Sequence, residues 1–273
     1  MTVAQFRTLA SRVQTMERLG ENRDLTASDL RTIGYGQIEA EHIVELLSRQ
    51  EQLDYYVNQA AKIECYPITR ISPLYPATVR SRLGTDCPGC LWAKGDSSLL
   101  SRPIIALVGS RELRQENRAF AEEAGRQAAL QGYVLLSGNA RGADRTAQES
   151  CLAHGGQVIS IVADELSKCK DRPGVLYLSE DSFDLSFSAI RALSRNRLIH
   201  SMGVAVLAAQ CTHGKGGTWN GTVQNLRHSW TPVFCFNDGS KAASSLANLG
   251  ASLITQDDLH NYKNLTPNTI SFL

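Results

Sequence analysis

The sequence predicts an α/β protein in which a doubly wound parallel sheet follows a small all-helical domain. Two observations predict this fold class. From residue 104 onward, short continuous apolar runs alternate with helix-like stretches, whereas between residues 2 and 64 apolar residues recur at helical spacing. Continuous apolar strands separated by helices indicate a parallel sheet covered on both faces. We therefore predict a Rossmann-like domain over 104–273, whose ligand would lie beyond the carboxyl ends of the strands.

The composition is that of an ordinary globular protein. The 273 residues are 42% hydrophobic and 20% charged, with a net charge of +1, so overall charge favours neither nucleic acid nor membrane. No stretch approaches the roughly 20 apolar residues of a membrane span, and the N-terminus lacks a basic region before an apolar core. Seven scattered cysteines, an odd number, indicate reduced core thiols. We expect a cytoplasmic protein.

The N-terminal residues 1–64 predict a helical domain. Gly20 and the polar residues 21–24 separate the first helix from the second, which opens at Thr26 with Asp29 three residues later, as in a capping box. The apolar residues at helical spacing are Phe6, Leu9, Val13 and Met16, then Ile43, Leu46 and Leu47, then Tyr56, Val57, Ala60 and Ile63.

The segment 33–40, Ile-Gly-Tyr-Gly-Gln-Ile-Glu-Ala, resembles the turn of helix-hairpin-helix modules, and the whole domain resembles the SAM or helix-hairpin-helix type. In those modules the turn directs backbone N–H groups at a DNA phosphate. An ordinary helical turn that uses glycine to stop one helix fits the pattern equally well. Glu39 and Glu41 would oppose phosphate binding, which slightly favours the structural interpretation.

Residues 65–103 hold much of the proline and little periodicity, which predicts a connector that packs on the following domain. Within it, Cys87 and Cys90 have the spacing of a zinc knuckle or a redox pair. A zinc site needs a second pair, for which the sequence offers only the distant Cys211 and His213. We favour structural cysteines over a metal site.

The domain at 104–273 contains six apolar runs of strand length, each close to a turn or a helix-like stretch. Four turns combine basic side chains with small residues or a helix start. These turns are 109–111, 137–144, 195–197 and 213–218. Because parallel strands end at one edge of the sheet, four basic turns there would form a crevice for an anion such as phosphate. The predicted strands are 104–108, 133–136, 158–162, 204–207, 233–236 and 251–254.

The turn Ser137-Gly138-Asn139-Ala140-Arg141-Gly142-Ala143-Asp144 is central to this hypothesis. It follows an apolar strand and precedes a helix, so its backbone N–H groups and the helix dipole would favour a phosphate. Its glycines could equally serve only the backbone geometry of a tight connection. We expect Asp144 to cap the helix or to orient Arg141 rather than to act as an acid or base.

Motifs for covalent chemistry are scarce. The sequence has no Gly-x-Ser-x-Gly elbow, no Gly-x-Gly-x-x-Gly fingerprint and no Gly-x-x-x-x-Gly-Lys-Ser/Thr loop. His200 and His213 lie near the predicted crevice but have no orienting carboxylate in the sequence, and Glu180 or Asp181 could position an arginine or a metal. This pattern favours binding over catalysis, with no catalytic residue, metal or cofactor expected.

Taken in order, these motifs resemble the DNA-processing protein A (DprA/Smf) family. The resemblance covers roughly 65–255 and includes Tyr75-Pro76 and Trp92-Ala93-Lys94-Gly95 upstream of the first strand, and Gly155-Gly156 and Ser179-Glu180 within the domain. It implies an extended Rossmann domain that binds single-stranded DNA in a basic pocket, forms a homodimer, and helps to load a RecA-type recombinase during transformation. Trp219 is a candidate platform for stacking a base, although a core tryptophan fits equally well.

The resemblance assigns phosphate contacts to the basic residues of the turns and backbone contacts to their small residues. The DNA-binding residues that it implies are Gly109, Ser110, Arg111, Ser137, Gly138, Asn139, Arg141, Gly142, Arg195, Asn196, Arg197, Lys215, Gly216, Gly217 and Thr218.

The sequence departs from the family pattern at several points. Gln148 replaces a usual histidine, Ala192-Leu193 replaces Phe-Pro, and Ala208-Ala209 stands where a glutamate is common. We also expect the chain to lack the C-terminal winged-helix domain of many members. A nucleotide-binding sensor or a nucleotide-processing enzyme of the wider superfamily is the alternative. The Gly216-Gly217-Thr218 stretch lacks the glutamate of the related phosphoribohydrolases, which places hydrolysis below binding, and a protein-interaction scaffold has no specific support.

Overall fold

The computed structural model describes residues 3–14, 16 and 24–265. These residues contain a single sheet of nine strands. The chain forms two compact units. One comprises the residues up to Ile63 together with Thr85–Cys87, and the other comprises Glu64–Gly84 and the residues from Pro88 onward. Among the described residues, no helix is both long and apolar enough to cross a membrane.

The first unit is helical. Its buried apolar cluster is centred on Leu9, Leu30, Tyr35, Ala40 and Ile43. The predicted capping box is confirmed, since the Thr26 side chain accepts a hydrogen bond from the Asp29 N–H while the Asp29 carboxylate accepts one from the Thr26 N–H. The helices are α1 (Val3–Gln14), α2 (Ala27–Thr32), α3 (Gln37–Leu47) and α4 (Gln50–Ala61).

Two predictions for this unit concern residues at the limits of the described chain. The predicted separator at Gly20 and residues 21–23, and the side chain of Phe6, lie outside the described residues. Met16 lies beyond the end of α1 at Gln14. The turn between α2 and α3 is as tight as its glycine pattern predicts, because Gly34 has a φ of 92°, a left-handed conformation that favours glycine.

The second unit confirms the predicted α/β class. Its strands lie in the order β1-β2-β6-β5-β4-β3-β7-β8-β9. They are β1 (Cys65–Thr69), β2 (Cys90–Lys94), β3 (Ile104–Val108), β4 (Val134–Ser137), β5 (Gln157–Ile161), β6 (Val175–Ser179), β7 (Ala205–Ala208), β8 (Val233–Phe236) and β9 (Ser252–Ile254).

Three strands are absent from the sequence-based prediction. β6 is a short apolar run, and β1 and β2 lie in the segment predicted as a connector. β1 pairs antiparallel with β2, and β2 pairs antiparallel with β6, whereas the other neighbours are parallel. Pro67 argued against a strand at β1, because proline lacks the N–H group that a central strand donates. β1 tolerates it because β1 lies at the edge of the sheet. The doubly wound parallel core therefore carries an antiparallel edge.

The helices of this unit cover both faces of the sheet. Small residues let α6 and α7 approach closely: a Cβ atom at Gly125 would lie 2.1 Å from the Ala147 carbonyl oxygen. The helices are α5 (Ala77–Leu83), α6 (Gln115–Leu130), α7 (Ala143–Ala153), α8 (Ala189–Ser194), α9 (Asn196–Met202), α10 (Gly217–His228), α11 (Lys241–Asn248) and α12 (Tyr262–Leu265).

The winding of the sheet determines where a ligand fits. β3 is followed by β4 on one side, and the chain later returns to the other side of β3 with β7. Val108 at the end of β3 pairs with Ala208 at the end of β7, so both strands finish level. In open parallel sheets such a switch point leaves a crevice beyond the carboxyl ends of the strands.

Candidate functional site

A cavity of about 770 Å³ lies at the switch point, beyond the ends of β3 and β7. We refer to it as the crevice. Arg111 and Lys215 are exposed along it, whereas Arg195 is buried in its wall. Of the residues predicted from sequence, it is lined by Gly109, Ser110, Arg111, Arg195, Asn196, Lys215, Gly216, Gly217 and Thr218.

A second cavity of about 480 Å³ lies beyond the ends of β4 and β5. Gly138, Asn139 and Arg141 line it, and it shares Arg111 and Arg195 with the crevice. The fold therefore brings most of the residues predicted from four separate turns to one edge of the sheet. Gly142 lines neither cavity but borders a third one, described below.

The turns 109–111 and 137–144 contact each other so closely that Gly109 and Gly142 leave no room for a side chain. A Cβ atom at Gly109 would lie 2.3 Å from the Ala143 Cβ atom. Gly142 has a φ of 88°, and a Cβ atom there would lie 2.3 Å from the Ser110 carbonyl oxygen. The Ala143 N–H donates to that same oxygen at 3.1 Å. The two turns are thereby locked together, which fixes the backbone from which Arg111 extends.

Hydrogen bonds connect the start of α10 to Gly109 and to Asn196. The Thr218 hydroxyl donates to the Gly109 carbonyl oxygen at 2.9 Å, and the Asn196 amide donates to the Gly217 carbonyl oxygen at 3.2 Å. Gly216 begins the helix with a φ of 90°. Because the first N–H groups of a helix have no partner within it, the start of α10 presents donors and a partial positive charge to the crevice.

The turn 137–144 differs from the predicted phosphate cradle. The buried Asp144 carboxylate accepts hydrogen bonds from the N–H groups of Gly138 at 2.9 Å and of Ala140 at 3.2 Å. Two of the donors expected to meet a phosphate are thus occupied by the protein's own anion. Burial raises the pKa of the Asp144 carboxyl, and the positive charge of Arg195 opposes that rise. Asp144 organises the turn, and the charges that act on it are those of Arg195 and, more weakly, Arg111 rather than that of the predicted Arg141.

Arg195, which is predicted to contact a phosphate, does not extend into solvent. Its side chain is buried, and its guanidinium donates to the carbonyl oxygens of Gly138, at 2.7 Å, and of Ile161. A Cβ atom at Gly138 would lie 2.3 Å from this guanidinium, which explains the glycine. Arg195 therefore joins the ends of β4 and β5 and compensates the charge of Asp144. The buried side chain thus has a supporting role, and the phosphate contact that the resemblance implies for it stays a prediction.

Two further predicted residues lie away from the cavities. Arg197 forms an ion pair with Glu180, whose side chain is 9% exposed, so the predicted carboxylate does hold an arginine. Ser137 is buried, and its hydroxyl accepts a hydrogen bond from the Gln148 amide at 2.6 Å. Neither side chain faces the crevice, because each one satisfies a buried polar partner.

The exposed cations of the site have few competing partners. Within the described residues, the side chains of Arg111 and Lys215 form no hydrogen bond or ion pair. Arg141 forms only an exposed ion pair of 3.5 Å with Glu112, and such surface pairs contribute little. Trp219 is half-buried rather than a core residue, with its ring 4.8 Å from that of His213. Arg111 and Lys215 are therefore available to an anionic ligand, and Arg141 can exchange its surface ion pair for one.

Sequence reasoning missed several residues of these walls. Arg145 and Lys168 line the second cavity, and Arg114 lines the crevice, where it also forms an ion pair with the nearly buried Asp238. Arg145 follows directly after Asp144 at the start of a helix, and this position could have been a signal for it. The ammonium of Lys168 is compensated by Asp164 and Glu165, each at 3.0 Å.

The two candidate acid–base histidines do not form a catalytic pair. His200 is buried, its Nδ1 atom lies 3.3 Å from the Asn225 amide, and burial lowers its pKa to about 4. His213 is exposed and packs on Trp219. Among the described residues, no group of three or more His, Cys, Asp or Glu side chains is arranged for a metal. Cys87 is buried, and burial raises the pKa of Cys90 to about 11.

The buried His200 predicts a dependence of stability on pH. Its native pKa lies below the ordinary value of 6.5, so the unfolded chain takes up a proton that the native protein does not. Stability is therefore lost as the pH falls from about 6.5 towards about 4. We expect wild type to lose about 3 kcal/mol more than His200→Gln between pH 7 and pH 4. Urea unfolding at both pH values measures this, and equal losses in the two proteins would contradict it.

Comparisons with known proteins point to one group. A family model described as DNA recombination-mediator protein A matches residues 67–263. The chain is 27% identical over 201 residues to Protein Smf of Escherichia coli K12, which covers 68% of this chain and 53% of that protein. It is 27% identical over 219 residues to DNA processing protein DprA of Streptococcus pneumoniae R6, which covers 73% of this chain and 72% of that protein. The chain thus spans about half the length of the E. coli relative.

Two solved structures share the fold. DNA processing protein A from Streptococcus pneumoniae superposes with a TM-score of 0.71 at 21% identity, covering 98% of this chain and 99% of that one. DNA processing protein A from Helicobacter pylori, described for its single-stranded DNA binding mode, gives a TM-score of 0.63 at 23% identity, covering 75% of this chain and 98% of that one. At such identities the likeness concerns the architecture.

Proposed function

Since the chain belongs to the DNA recombination-mediator protein A family, we propose that it binds single-stranded DNA in the crevice beyond β3 and β7. The observation that carries this proposal is that two exposed cations, Arg111 and Lys215, line the same crevice as the start of α10 and form no hydrogen bond or ion pair within the described residues. A guanidinium, an ammonium and free helical N–H groups are three kinds of donor that bind phosphate.

The local charge supports an anionic ligand although the whole chain is nearly neutral. The net charge is +1, so long-range attraction to nucleic acid is weak. Binding would therefore depend on the few cations at the carboxyl edge of the sheet. Such binding weakens with salt, because phosphate contacts release condensed counterions.

The size of the site favours a flexible strand over a duplex. The crevice and the second cavity share Arg111, and their volumes are only about 770 and 480 Å³. A strand without a partner can bend into such clefts and present its bases to apolar surface. Trp219, half-buried beside the crevice turn, offers one aromatic surface, and Leu193 lines the crevice wall.

Further properties follow from family membership alone. We propose that the chain acts as a recombination mediator in the cytoplasm, forms a homodimer, and works with a RecA-type recombinase. The description of the family model and the relative named DNA processing protein DprA support the role as a recombination mediator. The division of the chain into a helical domain at 1–64, a connector at 65–103 and a DNA-binding domain at 104–273 is part of the same proposal.

A nucleotide-binding sensor is the second candidate function. The crevice volume of about 770 Å³ is typical of a small-molecule site, which is the observation that favours it. His200 lines the crevice, but burial lowers its pKa to about 4 and an amide, that of Asn225, lies beside its Nδ1 atom in place of a carboxylate, which gives little support to a hydrolytic alternative. The two candidates differ in whether one phosphate group or several successive ones contribute to affinity.

Fluorescence anisotropy of the intact chain tests the proposal. The probes are a labelled single-stranded oligonucleotide, the corresponding duplex and labelled mononucleotides, each over a series of salt concentrations. We expect the single strand to bind at least tenfold more tightly than the duplex, with affinity falling steeply as salt rises. Binding of mononucleotides without affinity for the oligonucleotide would refute the DNA hypothesis and support the sensor.

A further inference from the structure

A third cavity, of about 1,150 Å³, extends from the crevice region over the outer faces of α6 and α7. We call it the helix groove. Arg111 lines the helix groove, the crevice and the second cavity, so this one side chain stands where all three meet. A strand bound at Arg111 thus has a continuous surface along which it can leave the crevice.

The cations of the helix groove lie near Arg111. Arg141, Gly142, Arg145 and Thr146 come from the turn before α7 and its first residues, and Arg118 comes from the first half of α6. The Arg118 guanidinium donates to the Thr146 hydroxyl at 3.3 Å, a bond that a phosphate can replace. Arg145 is exposed and forms no hydrogen bond or ion pair within the described part of the chain.

The acidic residues of the groove are mostly compensated by other arginines. Glu149 is held by Arg172 through two hydrogen bonds of 2.6 Å, and Glu123 is held in the same way by Arg126, at 2.8 and 2.6 Å. Each of these arginines lowers the pKa of its carboxyl partner. The carboxylates that remain without such a fork are Glu122 and the exposed Glu112. The end of the groove next to Arg111 therefore has an excess of positive charge.

We propose that single-stranded nucleic acid leaves the crevice along the helix groove, with Arg118 and Arg145 binding its phosphates as a second binding segment. This proposal rests on the proposed function. The helix groove and the second cavity share Arg111, Arg141 and Arg145. The groove is favoured as the exit because it adds Arg118, whereas the further cations of the second cavity are compensated: Lys168 by two carboxylates and Arg195 by buried carbonyl oxygens. Close packing of α6 on α7 at Gly125 fixes the spacing of the two arginines.

The test compares the double variant Arg118→Ala/Arg145→Ala with Arg102→Ala/Arg227→Ala in the intact chain. The control removes the same charge from exposed positions before β3 and at the end of α10, at the opposite edge of the sheet. The probes are oligothymidylates of about 6 and about 25 nucleotides, a short and a long single strand. We expect the test variant to bind the long strand about tenfold more weakly, with a salt slope lower by about 1.4, and the short strand as the control does.

A second variant is expected to strengthen DNA binding, an effect that loss of folding would not produce. Glu122→Gln removes one of the two groove carboxylates that no arginine fork holds, and we expect it to bind the long strand about threefold more tightly, since like charge is removed from the path. Equal affinities and salt slopes of the test and control proteins for the long strand would overturn the groove proposal. If neither strand binds wild type, the crevice proposal itself fails, so the two failures are distinguishable.

Discussion

Arg111→Ala is expected to reduce affinity for a single-stranded oligonucleotide between about 10-fold and 100-fold, the range for loss of a charged hydrogen-bonding group. Arg111 stands where the three cavities meet, and its guanidinium has no hydrogen bond or ion pair to another group of the described chain. Its full hydrogen-bonding capacity is therefore available to phosphate. Anisotropy titrations over a salt series should also give a slope that is lower by about 0.7 for each lost phosphate contact.

The matched control for Arg111 is Arg102→Ala. Arg102 is exposed immediately before β3, at the opposite end of the same strand, and donates only a weak bond of 3.3 Å to the Gly132 carbonyl oxygen. Both variants change the net charge equally. Because Arg111 holds no part of the fold, its replacement should leave the melting temperature unchanged. Similar affinities of the two variants would show that the site depends on general charge rather than on the position of Arg111.

Arg195→Ala is expected to act mainly on stability, with a loss of about 3 to 5 kcal/mol, as when a buried charge loses the group that compensates it. The buried guanidinium interacts electrostatically with the buried Asp144 and donates hydrogen bonds to the carbonyl oxygens of Gly138 and Ile161. Its loss leaves an uncompensated carboxylate and unsatisfied carbonyl groups. Thermal unfolding followed by circular dichroism should show a melting temperature about 10 °C lower than that of wild type.

A double-mutant cycle with Asp144 distinguishes a structural role of Arg195 from direct contact with DNA. In the background Asp144→Asn, the charge that Arg195 compensates is gone, so Arg195→Ala should cost about 1 to 2 kcal/mol less than in wild type. Arg111→Ala serves as the comparison, because it should weaken binding without lowering stability. An Arg195→Ala protein that melts like wild type but fails to bind DNA would restore the predicted phosphate contact and contradict the supporting role.

The order of strands and turns could be predicted from sequence because those signals are local. Continuous apolar runs such as 104–108 identify buried parallel strands, and the edge at which their carboxyl ends meet follows from parallel topology. The sequence pattern thus predicts that the turns at 109–111 and 213–218 share one crevice, and residues of both turns line it. The strands β1 and β2 were missed because they lie in a proline-rich segment and pair antiparallel, β1 with β2 and β2 with β6, outside the alternation of strands and helices that predicted the parallel sheet. β6 was missed as well, although it also pairs parallel with β5.

Local sequence signals were enough to predict the fold class, the edge of the sheet that forms the candidate site, and the turns that supply it. Which charges are free to bind depends on contacts that form only in the folded protein. Arg195 meets Gly138 across 57 residues of sequence and Ile161 across 34, and Arg197 meets Glu180, so these cations are already compensated. Arg111 and Lys215 have no such partners among the described residues. The physical reason is that burial and charge compensation depend on groups that folding brings together, and a local pattern does not contain them.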